Sequence, residues 1–305
     1  MQLDWLTSFV AVAEHRAFLA AAQDLGRAQS RVSEHVAKLE VELGIALVDR
    51  AVRPVRLTVA GEIFLGRAKD VLATLESARG EMSALRGSTY GAVRLACMSS
   101  VAGAFVSRLI DRFGKAERNI EVRVMEGPTA TLPEMLLRHE ADLAIVPQPY
   151  VANIPELQWV SLWNEPLRLL VPPAHRLAGS GGVSVRELEG EAVVTPGSGD
   201  GARGLSPEIA ALFVSAGVQV GAGRRVASPN TLVSMVRSGL GVGVLSELAV
   251  RLTGTEGVTV VPFTEPSAVR HTVLVRARER RDSDAVERLS EFIVAAKPPE
   301  GTRRA

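Results

Sequence analysis

The residues of this 305-residue chain whose types and spacing could do chemistry suit binding better than bond-making. Arg50, Arg53 and Arg56 cluster around Pro54, and such a local patch can meet phosphate even in a neutral domain. Just upstream, Gln29, Ser30, Arg31, Ser33, Glu34 and Lys38 gather amide, hydroxyl and charged groups within a short stretch. A glutamine amide can donate to and accept from adenine, serine hydroxyls serve bases or phosphates, and a glutamate can accept from a cytosine amino group. Arg31 adds a further donor for phosphate or base. Catalytic signatures are lacking. There is no Gly-x-Ser-x-Gly elbow, and His139 and His175 have no evident nucleophile partner. Gly239-Leu240-Gly241-Val242-Gly243 departs from the dinucleotide fingerprint, and residues 195–201 lack a Gly-Lys-Ser/Thr ending. The single Cys97 lies in an apolar run, can form no intrachain disulfide, and belongs to no Cys/His spacing that fits a metal. The expectation is a protein with no catalytic residue, no metal and no cofactor.

These side chains need a frame. Leu3, Leu6, Phe9, Val10 and Ala13 share one face of a helix over residues 3–14. An alanine-rich helix fits 18–25, and Gly26 then supplies a turn that tolerates positive φ. A third helix is expected over 29–42, with Val32, Val36, Leu39 and Leu43 as its buried stripe and Gly44 as its end. This order reads as a helix-turn-helix. It turns Gln29, Ser30, Ser33 and Glu34 outward. Ala28 precedes the third helix and offers no side-chain cap, a loss of about 1 kcal/mol. Residues 46–48 and 55–58 read as short strands of a wing around Arg53 and Pro54. Arg50 has two readings, a phosphate contact or a salt bridge that orients the wing. A helix from Thr58, its candidate cap, to about residue 86 would be roughly 40 Å long. Its stripe of Ala68, Leu72, Leu75, Ala78, Met82 and Leu85 suits a partner helix or another part of the same chain. Residues 87–91 read as a hinge.

Beyond the hinge, short apolar strands alternate with helices, which predicts βα units around a mainly parallel sheet. Strands are expected at 93–98, 120–125, 143–146, 167–171, 192–194, 242–245, 258–261 and 272–275. Helices are expected around 107–113, 132–138, 209–216, 232–237 and 286–295, with an exposed loop at 179–182. Two apolar blocks, near 91–160 and 190–245, suggest two subdomains with a cleft between them. In an open sheet, ligands gather where strands meet helices. Ser99 and Ser100, Thr129 and Thr131, and Thr195, Ser198 and Gly199 occupy such positions, where hydroxyls and helix-start N–H groups can cradle a carboxylate. Each also has a plainer reading as a turn or cap residue.

Composition supports a folded chain without choosing a function. The chain is 47% hydrophobic but only 4% aromatic, so its cores are built from Val, Leu, Ile and Ala. Formal net charge is +1, and residues 1–89 balance 11 basic against 11 acidic side chains. Only within 27–56 do six basic residues face four acidic ones. The first residues lack the pattern of a signal peptide, and no stretch of eighteen apolar residues occurs, so a cytoplasmic protein without a membrane span is expected.

Residues 3–62 resemble the LysR-type transcriptional regulators in order and spacing. The matching text is Leu3, Leu6, Phe9, Val10 and Glu14, then Phe18, Ala21, Ala22 and Leu25. It continues through Gln29, Ser30, Val32, Ser33, Leu39, Glu40, Leu43, Gly44, Leu47 and Arg50, and closes on Val55-Arg56-Leu57-Thr58 and Ala60-Gly61. Later likenesses are Ala141-Asp142-Leu143-Ala144-Ile145, Glu165-Pro166-Leu167, Pro172-Pro173-Ala174-His175 and the glycines at 239–243. Ala28 stands where the family usually has serine, Ser30 where proline is common, and Arg31 where a small residue is common. The resemblance implies a winged helix-turn-helix (all-α with a small β wing) over 1–60 and a linker or dimerisation helix and hinge over 58–89. An α/β effector domain of two Rossmann-like subdomains, like a periplasmic binding protein, follows over 90–296. Subdomain I spans about 91–160 and 266–296, subdomain II about 161–265, and a disordered tail 297–305. The implied partners are double-stranded promoter DNA, a small-molecule effector, further copies in a homodimer or homotetramer, and RNA polymerase. Two alternatives stay open: a regulator with a vestigial pocket that senses no metabolite, and a binding protein without DNA activity, which if exported would need a signal peptide.

Overall fold

The computed structural model describes residues 1–84, 91–197, 204–278 and 283–305, which divide into two compact units, Met1–Gly91 and Ala92–Ala305. Ser198, Gly199, residues 85–86 of the long helix and all of the expected hinge except Gly91 lie outside the described residues.

In the first unit, α1 (Leu3–His15), α2 (Phe18–Asp24) and α3 (Gln29–Leu43) close on one apolar core. Leu6, Phe9, Val12, Val32, Val36 and Leu39 fill it, and Ala21 and Ala22 are buried because their small side chains let α2 approach. A buried contact of 2.8 Å between Ser8 Oγ and His35 Nδ1 ties α1 to α3. Gly26 and Gly44 take φ of 59° and 69°, and the Gly44 N–H closes α3 on the carbonyls of Glu40 and Val41. α3 starts at Ala28 with no side-chain cap. The wing is β1 (Val48–Asp49) paired antiparallel with β2 (Arg56–Leu57).

α4 (Val59–Ala84) begins where Thr58 Oγ1 accepts the Gly61 N–H at 3.0 Å. A Cβ at Gly61 would stand 2.0 Å from the Leu47 carbonyl oxygen, so only glycine lets α4 lie against the wing. Of its expected stripe, Ala68 is buried, Leu72 and Leu75 are half-buried, and Ala78 is exposed. Val59, Ile63 and Val71 are also exposed, at multiples of four residues along α4.

The second unit starts with β3 (Gly91–Cys97), followed by α5 (Ser99–Val101), a π-helical turn (Ala102–Val106) and α6 (Ser107–Ala116) as one continuous helical segment. Then come β4 (Ile120–Glu126), α7 (Leu132–Leu137), β5 (Leu143–Pro147) and the long β6 (Leu157–Val171). β7 (Ala192–Pro196), α8 (Pro207–Ala216), β8 (Ala222–Val226), α9 (Pro229–Arg237), β9 (Val242–Ser246) and α10 (Glu247–Leu252) build the second half. β10 (Thr259–Pro262), β11 (Val269–Ala277), α11 (Asp284–Ala295) and β12 (Arg303–Arg304) complete the unit.

The sheet order is β4-β3-β5-β11-β6-β9-β7-β8, with β10 and β12 also on β6. It is mixed, which corrects the expectation of a mainly parallel sheet. β3 with β5, and β7 with β8 and β9, are parallel. β6 pairs antiparallel with β9, β10, β11 and β12, and β11 pairs antiparallel with β5. The reason is that β6 carries the chain from one subdomain to the other and β11 brings it back. β6 starts at Leu157 instead of 167, so the expected boundary at 160/161 falls inside one continuous strand. On the subdomain II side, Leu167, Leu169 and Val171 pack with Ile209, Leu212 and Phe213, while Leu170 packs with Leu232, Val233 and Val236. That alternation is the pleat of a strand covered by helices on both faces.

Residues 297–305, expected as a disordered tail, are ordered. β12 pairs with Asn164 and Trp163, Pro299 is buried, and the Thr302 N–H bonds the Pro299 carbonyl at 3.2 Å. Gly301, at φ 83°, fills the turn position that requires positive φ. Among the described residues, no helix is long and apolar enough to cross a membrane.

Candidate nucleic-acid interface and ligand cleft

With Val32, His35, Val36 and Leu39 turned into the core, the start of α3 leaves Gln29, Ser30 and Arg31 exposed. Arg53 and Arg56 are exposed on the wing, and neither they nor Arg31 has an ion-pair partner among the described residues. Arg50 is used differently. Its Nη2 meets Glu40 Oε2 at 3.1 Å, its Nη1 donates to Ser33 Oγ at 3.1 Å, and its guanidinium lies 5.3 Å from the centre of the Phe18 ring. Glu40 Oε1 in turn accepts the N–H groups of Leu47 and Val48 at 2.8 and 3.0 Å. This geometry fits the orienting one of its two expected roles: with Glu40 and Ser33, Arg50 fastens the base of the wing to α3. Glu34 and Lys38, expected to face a duplex, pair with each other at 2.6 Å. The Lys38 ammonium, first by hydrogen bond and then by charge, lowers the Glu34 carboxyl. Both line a groove with Trp5, Ala37, Val41 and Glu42.

In the second unit, the elements that follow the parallel strands of the two subdomains converge. α10 packs against α5 and the π-helical turn, where Gly103 leaves room for the Leu252 side chain. The 3-10 turn Gln148–Tyr150, just after β5, packs against α8 and β11. Ser99 is exposed and Ser100 nearly buried at the start of the segment after β3, and Thr129 is half-buried after β4. Thr131 spends its hydroxyl on the Pro128 carbonyl at 2.8 Å. Thr195 is fully buried and its Oγ1 accepts the Ser206 N–H at 3.0 Å, which holds the start of α8.

Sequence reasoning missed the polar floor between these walls. Arg270 on β11, 5% exposed, donates from Nη2 to Glu208 Oε1 at 2.8 Å and from Nη1 to Ser246 Oγ at 3.0 Å. Glu165, its partner across β6, accepts the Leu248 N–H at 2.8 Å. Burial opposes the Arg270 charge, but Glu208 and then Glu165 raise its proton affinity overall. The Tyr150 hydroxyl is pushed up by burial first and by Glu208 second. Glu165 Oε2, Glu208 Oε2 and Ser206 Oγ are buried without a hydrogen-bond partner among the described residues, so the floor has polar capacity to spare. The available signal was a charged residue inside each of two apolar strands, Glu165 and Arg270. Their pairing needed the fold.

Residues 3–62 match the family described as "Bacterial regulatory helix-turn-helix protein, lysR family", and residues 86–298 match "LysR substrate binding domain". The chain belongs to the LysR family. It is a DNA-binding transcription regulator with an effector-binding domain, and its relatives are regulators, not enzymes. A "Probable hydrogen peroxide-inducible genes activator" of Streptomyces viridosporus is 31% identical over 88% of this chain and 86% of its own length. The "RuBisCO operon transcriptional regulator" of Allochromatium vinosum is 29% identical over 97% of this chain and 96% of its own. Among solved structures, a full-length OxyR variant from Pseudomonas aeruginosa matches with a TM-score of 0.74 at 23% identity, covering 100% of this chain and 98% of that one. CbnR, a LysR family regulator, matches with a TM-score of 0.66 at 19% identity, covering 96% and 98%. At such identities these two structures speak for the fold of this LysR-type chain: helix-turn-helix first, α/β domain second.

Proposed function

We propose that this regulator binds promoter DNA as a homodimer or larger homo-oligomer, with the start of α3 in the major groove and the wing on the backbone. The carrying observation is the separation of roles around α3. Gln29, Ser30 and Arg31 stand exposed at its start beside the unpaired Arg53 and Arg56, while Arg50 is consumed in fastening the wing. Base edges then meet Gln29, Ser30 and Arg31, and phosphates meet Arg53 and Arg56. The exposed Val59, Ile63 and Val71 supply an apolar face on α4 suited to a second copy. At a promoter, RNA polymerase is the further protein partner of this reading.

The effector on this reading is a small carboxylate-bearing metabolite held between the subdomains. Ser99, Ser100 and Thr129 keep hydroxyls without internal partners among the described residues, and a helical segment begins at Ser99. A thiol-based response fits poorly, although one relative is named for hydrogen peroxide. The chain's one cysteine, Cys97, is fully buried in β3, and burial, then Glu126, pushes its thiol up to about 12.

Binding to duplex DNA from upstream of its own gene, measured across a salt series, tests the first part. Affinity should fall steeply with salt. Undetectable or salt-insensitive binding there and on other candidate promoters refutes it. A thermal-shift screen of small carboxylates tests the second, since a ligand of the folded state raises its stability. Uniformly flat responses favour a pocket that senses nothing.

A further inference from the structure

The last residues of the chain, 299–305, lie beyond the match to the family domain, and they are placed where movement between the subdomains would have to pass. β12 pairs with β6 at Asn164 and Trp163, residues that also pair with β11, three positions before the part of β6 paired with β9 begins at Leu167. The Ala305 N–H extends the contact to the Leu162 carbonyl at 3.4 Å.

Two side-chain anchors pull in opposite directions from this strand. The Arg304 guanidinium donates to the carbonyls of Val294 and Ala296, which end α11. α11 belongs to subdomain I: Phe292 packs on Phe113 of α6, and Arg288 pairs with Glu117 at 3.1 Å. An arginine at a helix C-terminus satisfies open carbonyls and complements the helix dipole. The other anchor reaches subdomain II. Glu300 Oε1 meets Arg251 Nη1 of α10 at 3.4 Å, and Gly301 rests against the same guanidinium. Arg251 holds Glu247 at 2.8 Å, and Glu247 holds Arg168 of β6 at 2.6 Å. The segment therefore touches both subdomains and the strand that joins them.

We propose that residues 299–305 form a strap that restrains the two subdomains against each other and so sets how readily the ligand cleft opens. Its bearing on effector response rests on the cleft reading above; the restraint itself does not. The strap bridges α11 of subdomain I and α10 of subdomain II across β6, so a rotation of one subdomain against the other has to strain its two anchors. Contacts between the walls, α10 on α5 and the Gln148–Tyr150 turn on α8, open first when it is removed.

The test is amide hydrogen exchange on the whole protein, without DNA or ligand, comparing the native chain with one ended at residue 298. A second variant, Glu300→Ala with Arg304→Ala, removes both side-chain anchors and leaves the remaining backbone in place. Exchange should quicken at least tenfold in the cleft walls, at 99–106, 148–150 and 247–250, as well as beneath the strap. The double variant should show the same pattern at smaller amplitude, and it decides the matter if the shortened chain does not fold. Faster exchange confined to 162–164, 251 and 294–296, the residues the strap touches, overturns the proposal. A failure to bind promoter DNA or any carboxylate would sink the functional reading and leave this measurement intact.

Discussion

Glu208→Ala isolates what the polar cleft floor contributes. Arg270 is 5% exposed and Glu208 9% exposed, with 2.8 Å between Nη2 and Oε1. Truncating one partner of a buried pair leaves the other charge without compensation, at a cost of about 3–5 kcal/mol. Here Arg270 keeps the Ser246 hydroxyl at 3.0 Å and Glu165 across the strand pair, which places the expected loss near the low end, about 3 kcal/mol. For a folding unit of this size, that corresponds to a fall in Tm of roughly 6–12 °C. Replacing the pair and the second carboxylate together, Glu208→Leu and Arg270→Met with Glu165→Gln, removes the three buried charges and their desolvation penalty while the glutamine keeps an acceptor for the Leu248 N–H. The triple variant should therefore recover most of the loss, ending within about 1 kcal/mol of the native chain or above it. Melting followed by circular dichroism reads both values. A fall of less than about 2 °C for Glu208→Ala would refute the reasoning. So would a triple variant as unstable as the single one, since the stranded charge would then not be the source of the loss.

Three further outcomes follow from the same geometry. Gly61→Ala places a methyl group against the Leu47 backbone and should destabilise the first unit by roughly 1–3 kcal/mol, seen as a lower melting temperature and weaker DNA binding; unchanged melting would contradict the close approach. Arg53→Ala should weaken binding to all duplexes and lower the salt slope by about 0.9 per lost phosphate contact, whereas Gln29→Ala should change which sequence is preferred. An identical effect of both on every duplex would undo the assignment of roles. The Cys97 thiol should resist alkylation at pH 8 while the chain is folded and react once it is unfolded in urea. Because folding raises this pKa, the fold favours the neutral thiol. Its contribution is full at neutral pH and is lost as pH rises past the free thiol's value towards about 12. Rapid labelling of the folded protein would show the thiol accessible.

The arrangement of the first unit was legible because its signals are local. Val32, Val36 and Leu39 repeat at helical spacing, Gly26 and Gly44 mark the turns, and Ala28 announces its missing cap. Each depends on neighbours within a turn or two. The long helix was readable too, but the exposed Val59, Ile63 and Val71 on it were not singled out. Thr131 and Thr195 were singled out because they follow strands; their bonds to the Pro128 carbonyl and from the Ser206 N–H appear only in the fold. Pro298-Pro299-Glu300-Gly301 carried a turn signal that its polar surroundings masked.

By itself the sequence determined the helix-turn-helix, its wing, and the alternation of strands and helices behind it, since periodicity and turn chemistry act over a few residues. Tertiary structure alone decided that Arg50 serves the wing, that β6 and β11 carry the chain between subdomains, and that Arg270 meets Glu208. Those choices join residues far apart in the chain, 62 positions apart for Arg270 and Glu208, and depend on strand register and helix placement. Burial then makes them count, because a charge removed from water must find a partner wherever the fold brings one.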